Sequence, residues 1–371
     1  MTDWHEMDLG LFATLQRGYD LPYRVRKHGD VPVVTSTGAT DTHAEAKEKA
    51  PGVVTGRYGT IGEVFFIEED YWPHNTTLFV KDFHGNDPLF VSYLLRTIDF
   101  QSHSGKSGVP GVNRNDLHAL RVRIPPTVDE QRSIATTLSD MDELLGALDR
   151  LITKKHDLKQ AAMQQLLTGK TRLPGFDGKW EVERLGDLAE LNRLNVIPAS
   201  QPAQAYTHFS LPAFDGGKTA ILELGSEIGS NKFRVPQNAI LVSKLNPRIP
   251  RIWSPEYIPE NSVASTEWLV LTPRKGVDRK FLFAACSTTF LGQQMGLAAT
   301  GTTGSHQRIS PTVAMDLQIP TPTDINEQTE IAKVLSDMNA EINALEQRRD
   351  KTRTLKQAMM QELLAGKTRL I

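Results

Sequence analysis

Residues 129–173 read DEQRSIATTLSDMDELLGALDRLITKKHDLKQAAMQQLLTGKTRL, and residues 326–370 read NEQTEIAKVLSDMNAEINALEQRRDKTRTLKQAMMQELLAGKTRL. The two stretches align without a gap at an offset of 197. Glu130 and Gln131 match Glu327 and Gln328, Ser139–Met141 match Ser336–Met338, and Gly169–Leu173 match Gly366–Leu370. Each stretch follows an Ile-Pro step, Ile124-Pro125 and Ile319-Pro320. A fainter match opens each half, where Trp4, Leu9, Gly10, Ala13 and Leu15 correspond to Trp180, Leu185, Gly186, Ala189 and Leu191 at an offset of 176. A period near two hundred residues is too long for a solenoid. The chain reads as a duplicated pair: variable, common, variable, common.

The common blocks have helical periodicity. Ile134, Leu138, Met141, Leu145, Leu148 and Ile152 alternate steps of four and three, with Leu158, Ala162 and Leu166 extending the stripe. The second block carries Ile331, Leu335, Met338, Ile342, Leu345, Leu355 and Met359. Such a stripe turns one seam toward a partner helix. The expected helix-pair interface is therefore Leu138, Met141, Leu145, Leu148, Ile152 and Leu158 against Leu335, Met338, Ile342, Leu345, Leu355 and Met359. Near-identical stripes suit each other, and a folded segment between them favours antiparallel packing. Two independent helices, each lying on its own domain, are the alternative. Asp129 and Asn326 are the expected N-caps, below the barrier set by Pro125 and Pro320. Gly169 and Gly366 stand where a helix C-terminus would close. Ser139-Asp140 and Ser336-Asp337 could cap a second helix, splitting each block into a short and a long one. The seam thins at Lys155-His156 and at residues 348–352.

The variable segments, 8–124 and 180–319, read as mixed α/β. Short β-rich runs at Val31–Thr35, Glu63–Ile67, Thr76–Val80, Ala239–Ser243 and Glu267–Leu271 are separated by Gly, Pro and Asn turns. Pro88–Arg96 and Arg279–Gly292 read as helices. The expected fold class is α+β: two mixed α/β domains joined by a pair of long antiparallel coiled-coil helices, with a pseudo-twofold internal duplication. The expected boundaries are 1–124, 125–173, 174–319 and 320–371. At 371 residues and 39% apolar, the chain can bury more than one core, yet no run approaches a membrane span. The opening MTDWHEMDLG has no basic apolar leader, and the single Cys286 forms no internal disulfide, so a cytoplasmic protein is expected. Net charge is −2, with 13 basic and 16 acidic residues in 1–124 and 14 and 13 in 174–319. Any polyanion site must be local.

Gly105-Lys106-Ser107, Gly169-Lys170-Thr171 and Gly366-Lys367-Thr368 imitate the end of a P-loop. Phe100, Gln164 and Gln361 stand where that loop needs its first glycine, and the last two triplets close helices rather than open them. The only Pro-Pro, at Pro125-Pro126, lacks the aromatic residue of an amino-methyltransferase motif. Asp41, Glu45 and Lys47 loosely imitate a metal-dependent nuclease triad, in a stretch, Thr40–Ala50, that reads as solvated. The ten histidines form no His-x-x-x-His pair, and no serine sits in a Gly-x-Ser-x-Gly elbow. Cys286 lies in an apolar helical run and reads as a buried structural thiol. No catalytic or metal site is expected.

With the duplicated blocks in view, residues 124–142 resemble the start of a common region in the specificity subunits (HsdS) of type I restriction-modification systems, and residues 319–338 repeat it. Lys106–Asn115 and Gly304–Ser310 are similar to the ends of target-recognition domains in that family, as are Pro32–Thr37, Ile240–Arg248 and Ala264–Leu271 to other parts of them. The resemblance implies a noncatalytic subunit whose two target-recognition domains each read half of a bipartite, asymmetric site on double-stranded DNA. It implies that the helices set the spacing and dock two methyltransferase subunits. S-adenosylmethionine, ATP and Mg would belong to those and to restriction/translocase subunits, not to this chain, and no membrane is involved. Readers centred about 34 Å apart, one DNA turn, address one face of the duplex. The DNA-contact candidates are Arg57, Tyr58, Lys106, Ser107, Asn113 and Arg114 in the first domain. In the second they are Lys244, Asn246, Arg248, Ser305, His306, Gln307 and Arg308. Arg and Lys suit guanine edges or phosphates, while Asn and Gln suit adenine. Asn246-Pro247 is equally a good structural turn. A type IIB recognition subunit and a coiled-coil scaffold without sequence readout stay open, as does a nuclease working through Asp41, Glu45 and Lys47.

Overall fold

The computed structural model describes residues 4–104, 111–301 and 307–370. Each common block is one helix of 39 residues, Val128–Leu166 and Ile325–Leu363. Neither breaks at its Ser-Asp step, because the inward stripe runs through it without interruption. The caps lie outside Asp129 and Asn326. Thr127 Oγ1 accepts the Glu130 N–H at 3.3 Å, and Asp324 Oδ1 accepts the Asn326 N–H at 2.9 Å. Thr127 and Asp324 are equivalent across the duplication and are the last side-chain acceptors before each helix, so Asp129 and Asn326 fall inside its first turn. Beyond the helix ends, Gly169 and Gly366 take φ of +69° and +66°. A Cβ there would stand 2.9 Å from the Trp180 ring and 2.7 Å from the Trp4 ring. Each glycine both turns the chain and seats an indole.

The chain forms two compact units, residues 1–150 with 346–371, and residues 151–345. In the first, His5–Asp8 pairs antiparallel with Arg121–Ile124, followed by a helical turn, Leu9–Phe12. Thr14–Arg17 then enters a four-stranded sheet beside Thr77–Asp82, Gly52–Gly56 and Val64–Ile67. A second sheet holds Gly38–His43, Val31–Thr35 and Trp72–Pro73. Gly38–His43 is thus a strand, with Ala39, Thr40 and Thr42 exposed, and residues 44–47 beyond it are exposed as well. Phe12, Leu15, Val53 and Phe90 form the core together with Ile134 and Leu138 of one long helix and Leu363 and Leu364 from the end of the other.

The second unit repeats the opening. Trp180–Arg184 pairs with Gln318–Pro322, Leu185–Leu188 makes the turn, and Ala189–Asn192 joins Trp268–Pro273, Ile240–Ser243 and Ile252–Trp253. A five-stranded sheet adds Asn195–Val196, Lys232–Arg234, Ser262–Ser265, Ala205–Phe209 and Ile221–Leu224. The run expected as one helix over 279–292 is two, Arg279–Cys286 and Thr289–Ala298, because the Thr288 side chain caps a new start at the Leu291 N–H.

Within each unit the long helices run antiparallel. Asp142 meets Lys356 at 2.5 Å and Asp149 meets Arg349 at 3.7 Å in the first, and Lys155 meets Glu341 at 2.6 Å in the second. Leu138, Leu148, Ile152, Leu335 and Ile342 are buried, and Met141, Leu145, Met338, Leu345 and Met359 half-buried. Leu158 and Leu355 are exposed, 48% and 55%. The inward stripe keeps its steps of three and four through Lys155, Lys159 and Ala162, and through Arg349, Thr352 and Lys356. A jump of six residues, Ile152 to Leu158, turns about 240° around the helix and leaves that stripe.

The repeated Glu-Gln pair ties each helix start to its unit. Asp87 caps Pro88–Leu95, and its N–H donates to Gln131 Oε1 at 2.9 Å. Asp278 caps Arg279–Cys286, and its N–H donates to Gln328 Oε1 at 2.9 Å. Arg369 donates to both oxygens of Glu130, at 2.8 and 2.5 Å, and the Trp4 indole N–H adds a bond at 3.3 Å. Arg172 does the same to Glu327, at 2.6 Å twice, joined by Trp180 at 3.3 Å. Each common block thus docks its tail on the head of the other copy.

The inward stripe is tested by a pair of variants. Ile342→Ala is expected to cost ~2–4 kcal/mol in chemical denaturation of the full chain. Leu355→Ala should stay within ~0.5 kcal/mol, and an equal cost for both would contradict the assignment.

Candidate nucleic-acid interface

In the first unit the strand Gly52–Gly56 runs into Arg57-Tyr58. The N–H groups of both residues donate to the Thr76 carbonyl, at 2.9 and 3.2 Å. From the other side, the Val112 N–H donates to the Arg57 carbonyl at 3.0 Å, and Tyr58 bridges to Gly111. Gly111 is required there, because a Cβ would fall 2.1 Å from the Tyr58 ring. The Arg57 guanidinium lies 4.5 Å from the centre of the Tyr58 ring, and Tyr58 is 37% exposed. Asn113 serves as a cap, its Oδ1 accepting the Asn115 N–H at 3.0 Å, while Arg114 is exposed in the helix it starts. Lys106 and Ser107 lie outside the described residues.

The second unit brings together the corresponding segments. Strand Ile240–Ser243 continues into Lys244–Asn246, whose backbone bonds to 307–309. The Ile309 N–H donates to the Lys244 carbonyl at 3.1 Å, and the Asn246 N–H to the Gln307 carbonyl at 2.7 Å. Asn246 holds φ of +49°, a left-handed conformation at the turn expected of Asn246-Pro247. Arg248 is exposed. Arg308 is already engaged, bonding Glu267 at 3.1–3.2 Å, which places it as a brace between strand and loop. Ser310 caps the helix Pro311–Met315, as Asn113 caps its own. Ser305 and His306 lie outside the described residues.

The enzyme-like motifs come apart. Asp41 pairs with Arg26 and Glu45 with Lys27, and these cations hold both carboxyls below their usual range. Lys47 instead sits 5.2 Å above the Trp72 ring. The three face separate partners, so no shared metal position forms. Among the described residues no cluster of three His, Cys, Asp or Glu side chains could hold a metal, and no helix is long and apolar enough to cross a membrane. Cys286 is buried, and burial pushes its thiol up to about 12.

Residues 1–155 and 177–353 match the family described as Type I restriction modification DNA specificity domain. The chain belongs to that family. It is built as a type I specificity subunit, with two copies of the specificity domain. It is similar to the type I restriction enzyme MjaVIII specificity subunit of Methanocaldococcus jannaschii, 22% identical over 76% of this chain and 70% of that protein. Its fold matches the crystal structure of a type I restriction-modification S subunit from M. genitalium, with a TM-score of 0.66 at 14% identity, covering 97% of this chain and 96% of that one. A chain from a structure concerned with complex assembly and conformational transition of the type I R-M system matches at 0.57 and 16% identity, covering 98% of both.

Both halves of the chain carry the Glu-Gln pair, the tryptophan and the Gly-Lys-Thr-Arg tail. That repetition marked the blocks as related without revealing that these residues bond one another. The reading of Cys286 is tested by thiol titration. The native protein should resist a thiol reagent at neutral pH and react only when unfolded. Fast labelling of the folded chain would contradict it.

Proposed function

We propose that this chain is the noncatalytic DNA-reading subunit of a type I restriction-modification complex. Each variable domain reads one half of a bipartite, asymmetric site on double-stranded DNA, and the long helices set the spacing of the readers. Two methyltransferase subunits dock on the helices, and restriction/translocase subunits complete the complex. S-adenosylmethionine, ATP and Mg serve those partners.

One observation carries this reading. In both units, two unlike sequences bring the same two segments together: the turn after a central strand, and the loop just before the common block. The turn is Arg57-Tyr58 in one and Lys244–Asn246 in the other, so the frame is kept while the displayed side chains change. That is what two readers of different sequences need. Near-neutral charge fits a site confined to these local faces, with partners supplying further contacts.

Motif determination on the complex reconstituted with its methyltransferase provides the test. Exchanging residues 180–319 for the matching segment of another family member should change one half of the methylated motif and keep the other. A motif unchanged by the exchange, or no enriched motif for the parent complex, would contradict the proposal.

A further inference from the structure

The first unit displays a second cationic element. Residues 23–28 read Tyr-Arg-Val-Arg-Lys-His, and Tyr23 opens a single 3-10 turn, Tyr23–Val25. Tyr23 is 82% exposed. Most cations nearby are neutralised: Arg26 by Asp41, Lys27 by Glu45 at 3.0 Å, and Arg17 by Asp20 at 3.3 Å. Arg24 is exposed and has no acidic partner among the described residues.

The connection around residues 73–77 joins this element to the Arg57 turn. The Tyr19 N–H donates to the Pro73 carbonyl at 2.8 Å, the Gly18 N–H to the Thr77 carbonyl at 3.0 Å, and Asn75 bonds Asp20. Thr76, in the same connection, holds the Arg57 and Tyr58 N–H groups. One connection thus holds both the Arg57-Tyr58 turn and the segment that leads into Tyr23-Arg24.

The two elements differ in rigidity. Arg57 is stacked on Tyr58, and its backbone is pinned from both sides. Arg24 sits on a short exposed turn, where its side chain has no fixed partner. Telling bases apart needs a donor held in place, whereas a phosphate accepts a mobile cation from many directions. We infer that Tyr23 and Arg24 form a DNA-backbone clamp that positions the duplex for reading by the Arg57-Tyr58 turn. The inference rests on the DNA-reading function proposed above.

The assembled methyltransferase complex is the sample, with duplex carrying its own methylated motif as the probe. Arg24→Gln should weaken binding roughly 3–10-fold at physiological salt, and the slope of log affinity against log salt should become shallower by about 0.9. The methylated motif should stay the same, whereas Arg57→Gln should relax it at one position. An Arg24→Gln complex with parental affinity and slope would overturn the clamp, and so would one with an altered motif. A parent complex without any motif would instead overturn the DNA-reading function, and the clamp with it.

Discussion

Glu327 is 1% exposed and Glu130 7%, and burying a carboxylate so far from water is costly unless donors surround it. Both are supplied in the same way: a bidentate arginine and an indole N–H. The arginine comes from the tail of the other common block. Leaving either carboxylate without its arginine should cost about 2–4 kcal/mol, most of it the penalty for an unmatched buried charge. The glutamine beside each glutamate fastens the same helix start to the cap of a core helix, so one dipeptide joins long helix, domain and returning tail.

The duplication is consequently interleaved. The first unit needs residues 346–371 to finish it, and the second takes in the tail of the first block. This accounts for where the two blocks agree most. Identity concentrates at the Glu-Gln head and the Gly-Lys-Thr-Arg-Leu tail, which meet, and fades along the helix middles, where Lys155 and Thr352 occupy equivalent inward positions. Charge follows the same logic. Many cations are committed to ion pairs, Arg26, Lys27, Lys49, Lys81 and Arg369 among them, while in the first unit Arg24 and Arg57 lie in turns and Arg114 opens a short helix.

Much of this was legible in the sequence, because periodicity and repetition are local signals. The two long helices, the strands near Val31, Val64, Thr77, Ile240 and Trp268, and the pairing of Trp4 with Trp180 all follow from spacing alone. Leu158 and Leu355 misled because apolar character was followed across a gap that the helical period does not allow; the true stripe passes through lysines whose charges are met across the helix pair. Asp129 and Asn326 misled because a cap is set by which residue first leaves helical geometry, one turn boundary earlier. Arg308 and Asn113 also bond within the fold, to Glu267 and to the Asn115 N–H, and the first of these partners is distant in sequence. The lock was hidden for the same reason: Glu130 and Arg369 are far apart in the chain, and only folding shows that they meet.

A double-mutant cycle on Arg172 and Glu327 measures the interleaved lock directly. The variants are Arg172→Met, Glu327→Gln and the pair, followed by chemical denaturation of the full chain. Each single change is expected to destabilise, and the double variant to lose less than their sum, with a coupling of at least ~2 kcal/mol. Additivity within ~0.5 kcal/mol would show that the two side chains do not depend on each other, and would contradict the lock.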